Sequence, residues 1–561
     1  MSTLRTNNLE SLETGRVLEV DALVESQEVS EALLDRVISV TRISDLLAIS
    51  SPYTDAFVYV SNYHAGVPGG SGLFRWDATA NKASHNGGTV IDPDVTFPSD
   101  WTNATQINTW FTAGTGSGCW VRLVTAPGVL DVRWFGAFSD YSTDDILALQ
   151  QTVDVDQAIP DELEIFIGRH KTTKPLIIYS KTILVGSGGS AFIEKNVAGI
   201  LDNVPANTNS PTGDGTDSWD KDATILVYHE DVEWATSWAI RGISLVNLGA
   251  EVGETTYCIY APRAYRFKLS DIVFYRATFG IMGHNWFMFE MDMIISYFNT
   301  TRYGISLEES DGGYAEATTG KINRYWGNGG GRLRLTGASS TTISNCDIEK
   351  QVNGAYIFTD CELSLINCAS EQGDVLGGVG AVKATRSIIT ITGYNIFALP
   401  TNNISALIYL EDNSVATIID THTKDPNGVI NYSVICRSGS IAKLINSEID
   451  SNNGVLVDGG GNSVTIENGQ KRGIITTSGR SSLPVCGTSA DVAPQGFLET
   501  GLRGVLSGTT VTVTNDLSVV AGIYELTGGL IRVKFYSRTS GAEVTTGTYD
   551  VAWTASLRDI E

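Results

Sequence analysis

The sequence predicts an all-β protein whose body is a parallel β-helix, with short helices near its N-terminus and a small β-domain at its C-terminus. Three observations carry that expectation. Short strand-like segments recur between residues 180 and 480 without a convincing helical period. Pairs of these segments align at a common offset. The composition is poor in charge and rich in turn formers, with 18% charged residues and 58 Gly, as expected of many short strands joined by tight turns. The alignment decides the matter. Asn345-Cys346 in ISNCDIE and Asn367-Cys368 in LINCASE lie 22 residues apart, as do Ile272 of KLSDI and Ile294 of EMDMI, and LINSEID repeats the theme. A drifting period of roughly 20–28 residues marks a stacked coil in which no rung buries its apolar face alone. Rungs in such a coil follow one another at about 4.8 Å.

The elements follow in order. Residues 1–50 read as a short arm and helical neck. From Ser26, Val29, Leu33, Val37 and Val40 recur every three or four residues and form one helical stripe. A second Leu-rich segment, Ile43 to Ile49, stops before Ser51-Pro52, which breaks helices. Residues 51–130 change texture: FVYVSNYHAG, GGSGLFRWD, NGGTVI and CWVRL are short alternating strands with Gly and Asn turns, a small β-domain. The β-helix occupies 131–480. It opens on VRWFGAFSDYSTDDILALQ, where Ser142 and Asp145 have capping-box spacing and Ile146, Leu147, Leu149 and Gln150 continue as a short helix. A strand pair, LEIFIG and KPLIIYSKTILVGSGG, comes next. Residues 481–561 hold TTVTVTN and the alternating LIRVKFYS, with Ile531, Val533 and Phe535 on one side and Arg532, Lys534 and Tyr536 on the other. That pattern predicts a small antiparallel β-domain capping the coil.

A formal charge of −25 over 561 residues argues against a nucleic-acid partner, because phosphate binding needs a basic face. The seven cysteines, Cys119, Cys258, Cys346, Cys361, Cys368, Cys436 and Cys486, are scattered singly without a CxxC. No zinc site, other metal or cofactor is therefore expected, and buried free thiols from a reducing cytoplasm are the reading. The N-terminus has no apolar signal segment and no run of about 18 apolar residues occurs. A soluble chain that inserts in no membrane is expected.

The order of these parts resembles bacteriophage tailspikes, polysaccharide depolymerases built on a right-handed, single-stranded, pectate-lyase-like parallel β-helix. TNNLESLETGRVLEVDAL is similar to their particle-anchoring arm, and DAFVYVSNYHAGVPGGSGLFRWD with NGGTVI and CWVRL to their adaptor module. Phe135-Gly136-Ala137, Asp140 and Thr143-Asp144-Asp145 match the entry motif of the coil, with Tyr141 where Gly is usual. The resemblance covers most of residues 1–480. It implies a homotrimer on the virion, joined to the phage tail or baseplate through its N-terminus, that acts outside the cell in adsorption to host capsule or O-antigen. In that family the aspartate pair is structural, so Asp144 and Asp145 are expected to hold the turn.

Glycosidic hydrolysis commonly uses two carboxylates, one protonated as acid and one ionised as base or nucleophile. Equivalent positions on successive rungs stand in a column, so a β-helix supplies such pairs readily. The Asn-Cys alignment points Cys346 and Ile348 inward and Asp347 and Glu349 outward, with Glu371 beside Glu349 one rung on. Glu349 and Glu371 are the catalytic candidates, with Asp347 behind them. Two glutamates with backbones about 5 Å apart repel when both are ionised, which suits one as an acid. The spacing leaves retention and inversion open, and a solvated acidic face is the plain alternative. Asp360 and Glu362 are next in line, Glu308, Glu309 and Asp311 form a loop cluster, and Glu448 and Asp450 lie about 19 Å away by rung spacing.

Sugars bind flat apolar faces with polar rims. The segment from Phe274 to Trp326 holds 12 aromatic residues in 53, and His284, Trp286, Tyr325 and Trp326 beside Gly- and Asn-rich stretches are expected exposed, with Arg302 nearby. His284 is also a candidate base. Two rivals to hydrolysis stand. A lyase on an acidic capsule needs a base and a neutralising cation, for which Arg302, Arg324, Arg332 and Arg334 qualify. A receptor-binding spike would attach without cutting.

Overall fold

A computed structural model describes residues 8–10, 17–19 and 37–557, with breaks at 50–51, 54, 125–127, 160–162, 189, 197–220, 230–233, 250–254, 298–301, 310–314, 330, 350–353, 373–380, 399–403, 425–429, 448–454, 459–461, 468–475, 485–496, 500–505, 514–518, 528–529 and 541–547. Two units partition the chain, residues 1–171 and 172–561.

In the first unit, strands Ile38–Val40, Phe57–Val60, Gly72–Asn81, Ser117–Leu123 and Val90–Ile91 pair in that order into one sheet. Ile38–Val40 corrects the helical stripe at its C-terminal end: it is a strand parallel to Val58–Val60, while residues 26–36 lie outside the described residues. Pairing with a sheet edge satisfies this segment's backbone, which an isolated single helix cannot do so stably. The Leu-rich segment is helical over Ile43–Leu47, and a further helix, Ala104–Trp110, is capped by Asn103. Ile43, Leu46, Val58, Val60, Phe74, Trp110 and Trp120 form the core.

The entry motif is a hydrogen-bonded knot. Asp145 precedes the helix Ile146–Ala158 without capping it. The capping-box expectation fails because its carboxylate turns back to accept from Phe138 N at 2.7 Å, Ser139 N at 3.0 Å and His170 Nδ1 at 2.8 Å. Asp140 accepts from Ser142 N and Thr143 N at 2.8 Å each. Tyr141 sits at φ +60, the left-handed conformation for which glycine is suited.

The second unit is a parallel β-helix. One sheet stacks Ala239–Asn247, Lys268–Tyr275, Glu290–Tyr297, Lys321–Asn328, Ala338–Ser344 with Asp347–Glu349, Glu362–Ile366 with Ala369–Gln372, and later rungs through Ser463–Glu467. A second stacks Thr256–Tyr260, Phe279–Gly283, Arg302–Leu307, Gly331–Thr336, Tyr356–Thr359, Val382–Thr385, Ile404–Glu411 and Ile430–Arg437. The 22-residue offsets are structural: Ile272 pairs with Ile294 and Ile343 with Leu365. Some rungs exceed the expected range: Ile294 meets Tyr325, 31 residues on, Asp222 meets Thr256, 34 residues on, and Leu176 meets Ile225, 49 residues on. Loops outside the coil absorb such length at little cost.

Ile322, Ile343, Leu365, Ile391, Ile418 and Leu444 form one inward column, each essentially inaccessible, worth about 2–3 kcal/mol per side chain. Corners repeat as well. Asp271, Met293, Arg324, Asn345 and Asn367 occupy successive left-handed positions, φ between +50 and +57. Asn tolerates that conformation locally, which is why Asn-Cys marked the repeat. Beyond Thr476 the described backbone turns antiparallel, with Val519–Thr527 against Leu530–Ser537 and Leu506–Val513 against Thr548–Leu557.

Candidate functional site

Strand pairing sets Asp347 opposite Ala369, Ile348 opposite Ser370 and Glu349 opposite Glu371. The two glutamates are therefore in-register partners on adjacent rungs, about 4.8 Å apart along the coil. Cys346 and Ile348 are buried while Asp347 and Glu349 are half-buried, the alternation that a pleated strand imposes. Glu371 is described in its backbone only. Asp347 lies close enough to the core for its charge to be felt by Tyr356 and Tyr394, whose hydroxyls are pushed up first by burial.

Glu349 is held by an aromatic neighbour: Trp326 Nε1 donates to Glu349 Oε1 at 2.9 Å. The rings above Trp326 explain its orientation. Tyr275 and Tyr297 are register partners and stack at 5.3 Å with an interplanar angle of 13°, so they cover each other's faces. Trp326 meets Tyr297 edge-on, at 5.3 Å and 82°. Its ring therefore runs crosswise to the tyrosine stack, and its indole N–H faces the carboxylate. Trp326 and Glu349 stand apart in the sequence, and the fold makes them hydrogen-bond partners. The sequence signal for Tyr275 and Tyr297 is their 22-residue spacing, the same offset that aligns the rungs.

Trp286, Tyr325 and His284 are not exposed as their neighbours in sequence suggest. Trp286 is 0% and Tyr325 1% exposed, so neither presents a face to a ligand. Trp286 donates to Ala261 O at 2.8 Å and Tyr325 to Gly331 O at 2.5 Å. Trp286 packs among Phe267 and Phe289, which extend a stacked core ladder from Trp238. His284, 6% exposed, has both nitrogens engaged, Nε2 with Tyr260 Oη at 3.2 Å and Nδ1 with Glu308 O at 3.0 Å, and so is not an exposed base. For Tyr325 the cause is the left-handed corner at Arg324, which resets the parity that points inward after Ile322, whereas His284 closes a run, residues 280–284, that is buried without alternation. Arg302 opens the strand Arg302–Leu307, and its side chain lies outside the described residues.

The reserve carboxylates divide similarly. Asp360 is bound by Arg386 through two 2.7 Å contacts. Glu362 and Glu309 are exposed. Glu308 accepts from Ser306 Oγ at 2.7 Å and is ion-paired with Arg334. Asp311, Glu448 and Asp450 lie outside the described residues. Among the described residues, the six cysteines from Cys119 to Cys436 are free and buried.

Residues 39–125 match the family model of the phage tail protein small four-stranded beta-sheet domain. No curated protein matches the chain. Among solved structures, the tailspike gp42 of Acinetobacter phage vb_AbaP_AS12 is 13% identical with a TM-score of 0.59, covering 93% of this chain and 94% of that one. The full-length tailspike protein 2 of Escherichia coli O157:H7 bacteriophage CAB120 is 13% identical with a TM-score of 0.48, covering 100% and 78%. The tailspike gp49 of Acinetobacter baumannii bacteriophage Fri1, a capsular polysaccharide depolymerase, is 10% identical with a TM-score of 0.43, covering 93% and 98%. By its phage tail domain over residues 39–125 and by its parallel β-helix, the chain is similar to bacteriophage tailspikes.

Proposed function

We propose that this protein is a tail-mounted spike that recognises a bacterial surface polysaccharide and depolymerises it by glycosidic hydrolysis, with Glu349 and Glu371 as the carboxylate pair. The observation that carries the reading is the register pairing of these two glutamates beside Trp326, which binds Glu349 through its indole N–H. One glutamate protonates the leaving oxygen; the other, ionised, acts as base or nucleophile. Trp326 orients Glu349 and offers an apolar surface next to the acid. Asp347, on the same strand, adds negative charge near the developing oxocarbenium ion. Residues 39–125 attach the spike to the tail, and the working form is a homotrimer.

The test is reducing-end release from host capsule or O-antigen by Glu349→Gln and Glu371→Gln. The expected result is a loss of 10²–10⁴-fold in cleavage, the usual worth of a general acid or base, with sedimentation unchanged. Wild-type cleavage by both variants would remove the pair from the mechanism. A lyase on an acidic capsule is the alternative to hydrolysis, and an unsaturated, ultraviolet-absorbing product would select it. Attachment with no cleavage at all would select the non-enzymatic spike.

A further inference from the structure

On the N-terminal side of the carboxylate pair, two neighbouring columns of the first sheet face outward across three rungs. Register stacks Val273, Ile295 and Trp326 in one column, which leads on to Asp347, and Tyr275, Tyr297 and Asn328 in the other. One step past the Gly327–Ile348 pair, Asn328 is followed by Glu349, whose own partner is Glu371. The second column therefore reads Tyr, Tyr, Asn, Glu, Glu, with Tyr275 about 14 Å from Glu349 along the coil. All six residues ahead of the acids are half-buried, so their flanks are packed while their outer edges reach solvent.

Ring orientation gives this strip a direction. Tyr275 and Tyr297 stack on successive rungs at 13°, so their planes lie across the coil axis. Trp326 stands at 82° to Tyr297, so its plane runs along that axis. Among the described residues, none hydrogen-bonds to the Tyr275 hydroxyl, the Tyr297 hydroxyl or the Asn328 side-chain amide. Burial first, and then the neighbouring Tyr297, pushes the Tyr275 hydroxyl up, so it remains a donor at neutral pH. Unpartnered polar edges beside an apolar floor complement a sugar, whose ring has apolar faces and a rim of hydroxyls. The six side chains carry no charge, in a chain of formal charge −25, and Asp347, Glu349 and Glu371 stand at the strip's far end.

We propose that this strip binds consecutive uncharged sugar units of the polymer, which lies along the coil axis and reaches the Glu349–Glu371 pair from the Tyr275 side. The rung spacing is close to the length of one sugar unit, so Tyr275, Tyr297 and Trp326 meet successive units. Trp326 offers its ring plane to a sugar face, and the two phenols and Asn328 bond to hydroxyl rims. An ionised sugar would meet carboxylates and no cation among these side chains, a charge left without compensation. A neutral sugar avoids that penalty. The inference rests on the reading that the chain cuts a polysaccharide at Glu349 and Glu371, and it adds where the uncut part of the substrate lies.

The probe is purified capsule or O-antigen from the bacterium on which the virion forms plaques, native and after reduction of its uronate carboxyls to alcohols. Binding is measured by affinity gel electrophoresis with the full chain carrying Glu349→Gln, which leaves the polymer uncut. Tyr275→Ala and Tyr297→Ala are each expected to weaken binding about tenfold through a lost aromatic contact. Tyr275→Phe/Tyr297→Phe keeps the stack, removes both hydroxyls and is expected to lose about as much. Native and reduced polymer are expected to bind equally, with little dependence on salt. If Tyr275→Ala binds as its parent does, the polymer does not run along the coil. If carboxyl reduction or salt abolishes binding, the bound sugars are charged. Either result overturns the proposal. Should sedimentation and circular dichroism show the alanine variants unfolded, the phenylalanine pair decides it, and parental affinity there overturns it equally. Cleavage with Glu349 intact is read separately. Undiminished binding by the tyrosine variants, with cleavage lost in Glu349→Gln, defeats this inference alone, whereas no binding by the parent chain removes the polysaccharide reading with it.

Discussion

Trp326→Phe probes whether the indole acts through Glu349. The substitution keeps an aromatic ring and removes one N–H donor from Glu349 Oε1, a 2.9 Å bond to a half-buried acid. Hydrogen bonds to charged partners contribute about 1.5–3 kcal/mol, and partial exposure selects the lower figure. About 1.5 kcal/mol corresponds to a loss of roughly tenfold in kcat/KM. Glu349→Gln keeps an oxygen acceptor for the indole but cannot carry the charge or the proton. Since its catalytic contribution is already gone, adding Trp326→Phe to it should cost little more. The assay is reducing-end release measured for both single variants and the double variant, with sedimentation and circular dichroism controlling for folding. Strong non-additivity, above about 1 kcal/mol, is expected of groups in contact. If Trp326→Phe lowers kcat/KM by the same factor in both backgrounds, Trp326 does not work through Glu349 and the proposed geometry is wrong.

Three further outcomes follow from the fold. Met293 occupies a left-handed corner at φ +57 and is 45% exposed, so Met293→Asn should raise the unfolding temperature, with a gain of about 1 kcal/mol from relieved backbone strain. A Cβ at Gly304 would overlap the hydroxyl of the buried Tyr325, so Gly304→Ala should destabilise the coil by about 1–3 kcal/mol in denaturant unfolding. The Asp140 carboxyl is opposed by partial burial, yet the Thr143 and Ser142 donors bring it down to about 2. A depressed folded value means that its contribution is complete above about pH 4 and is lost as pH falls through about 2. After discounting for its exposure that contribution is about 1 kcal/mol. Asp140→Asn should therefore flatten the acid limb of stability in that window, as thermal melts across pH would record.

The coil itself was legible in the residues. Asn345-Cys346 against Asn367-Cys368 announced both the rung spacing and the register that pairs Glu349 with Glu371, because a parallel stack maps sequence offset directly onto position. The entry motif was equally plain, down to Tyr141 adopting the backbone of the glycine it replaces. Orientation was not legible. Trp286, Tyr325 and His284 looked like surface residues because Gly and Asn flank them, yet all three are buried, Tyr325 because the left-handed corner at Arg324 shifts the inward parity. Nor did local sequence reveal that Trp326 reaches Glu349 across 23 residues, or that Arg334 and Lys383, 49 positions apart, share one column. Periodicity sets which rungs are neighbours, whereas the direction of each side chain depends on corner dihedrals that only the folded stack determines.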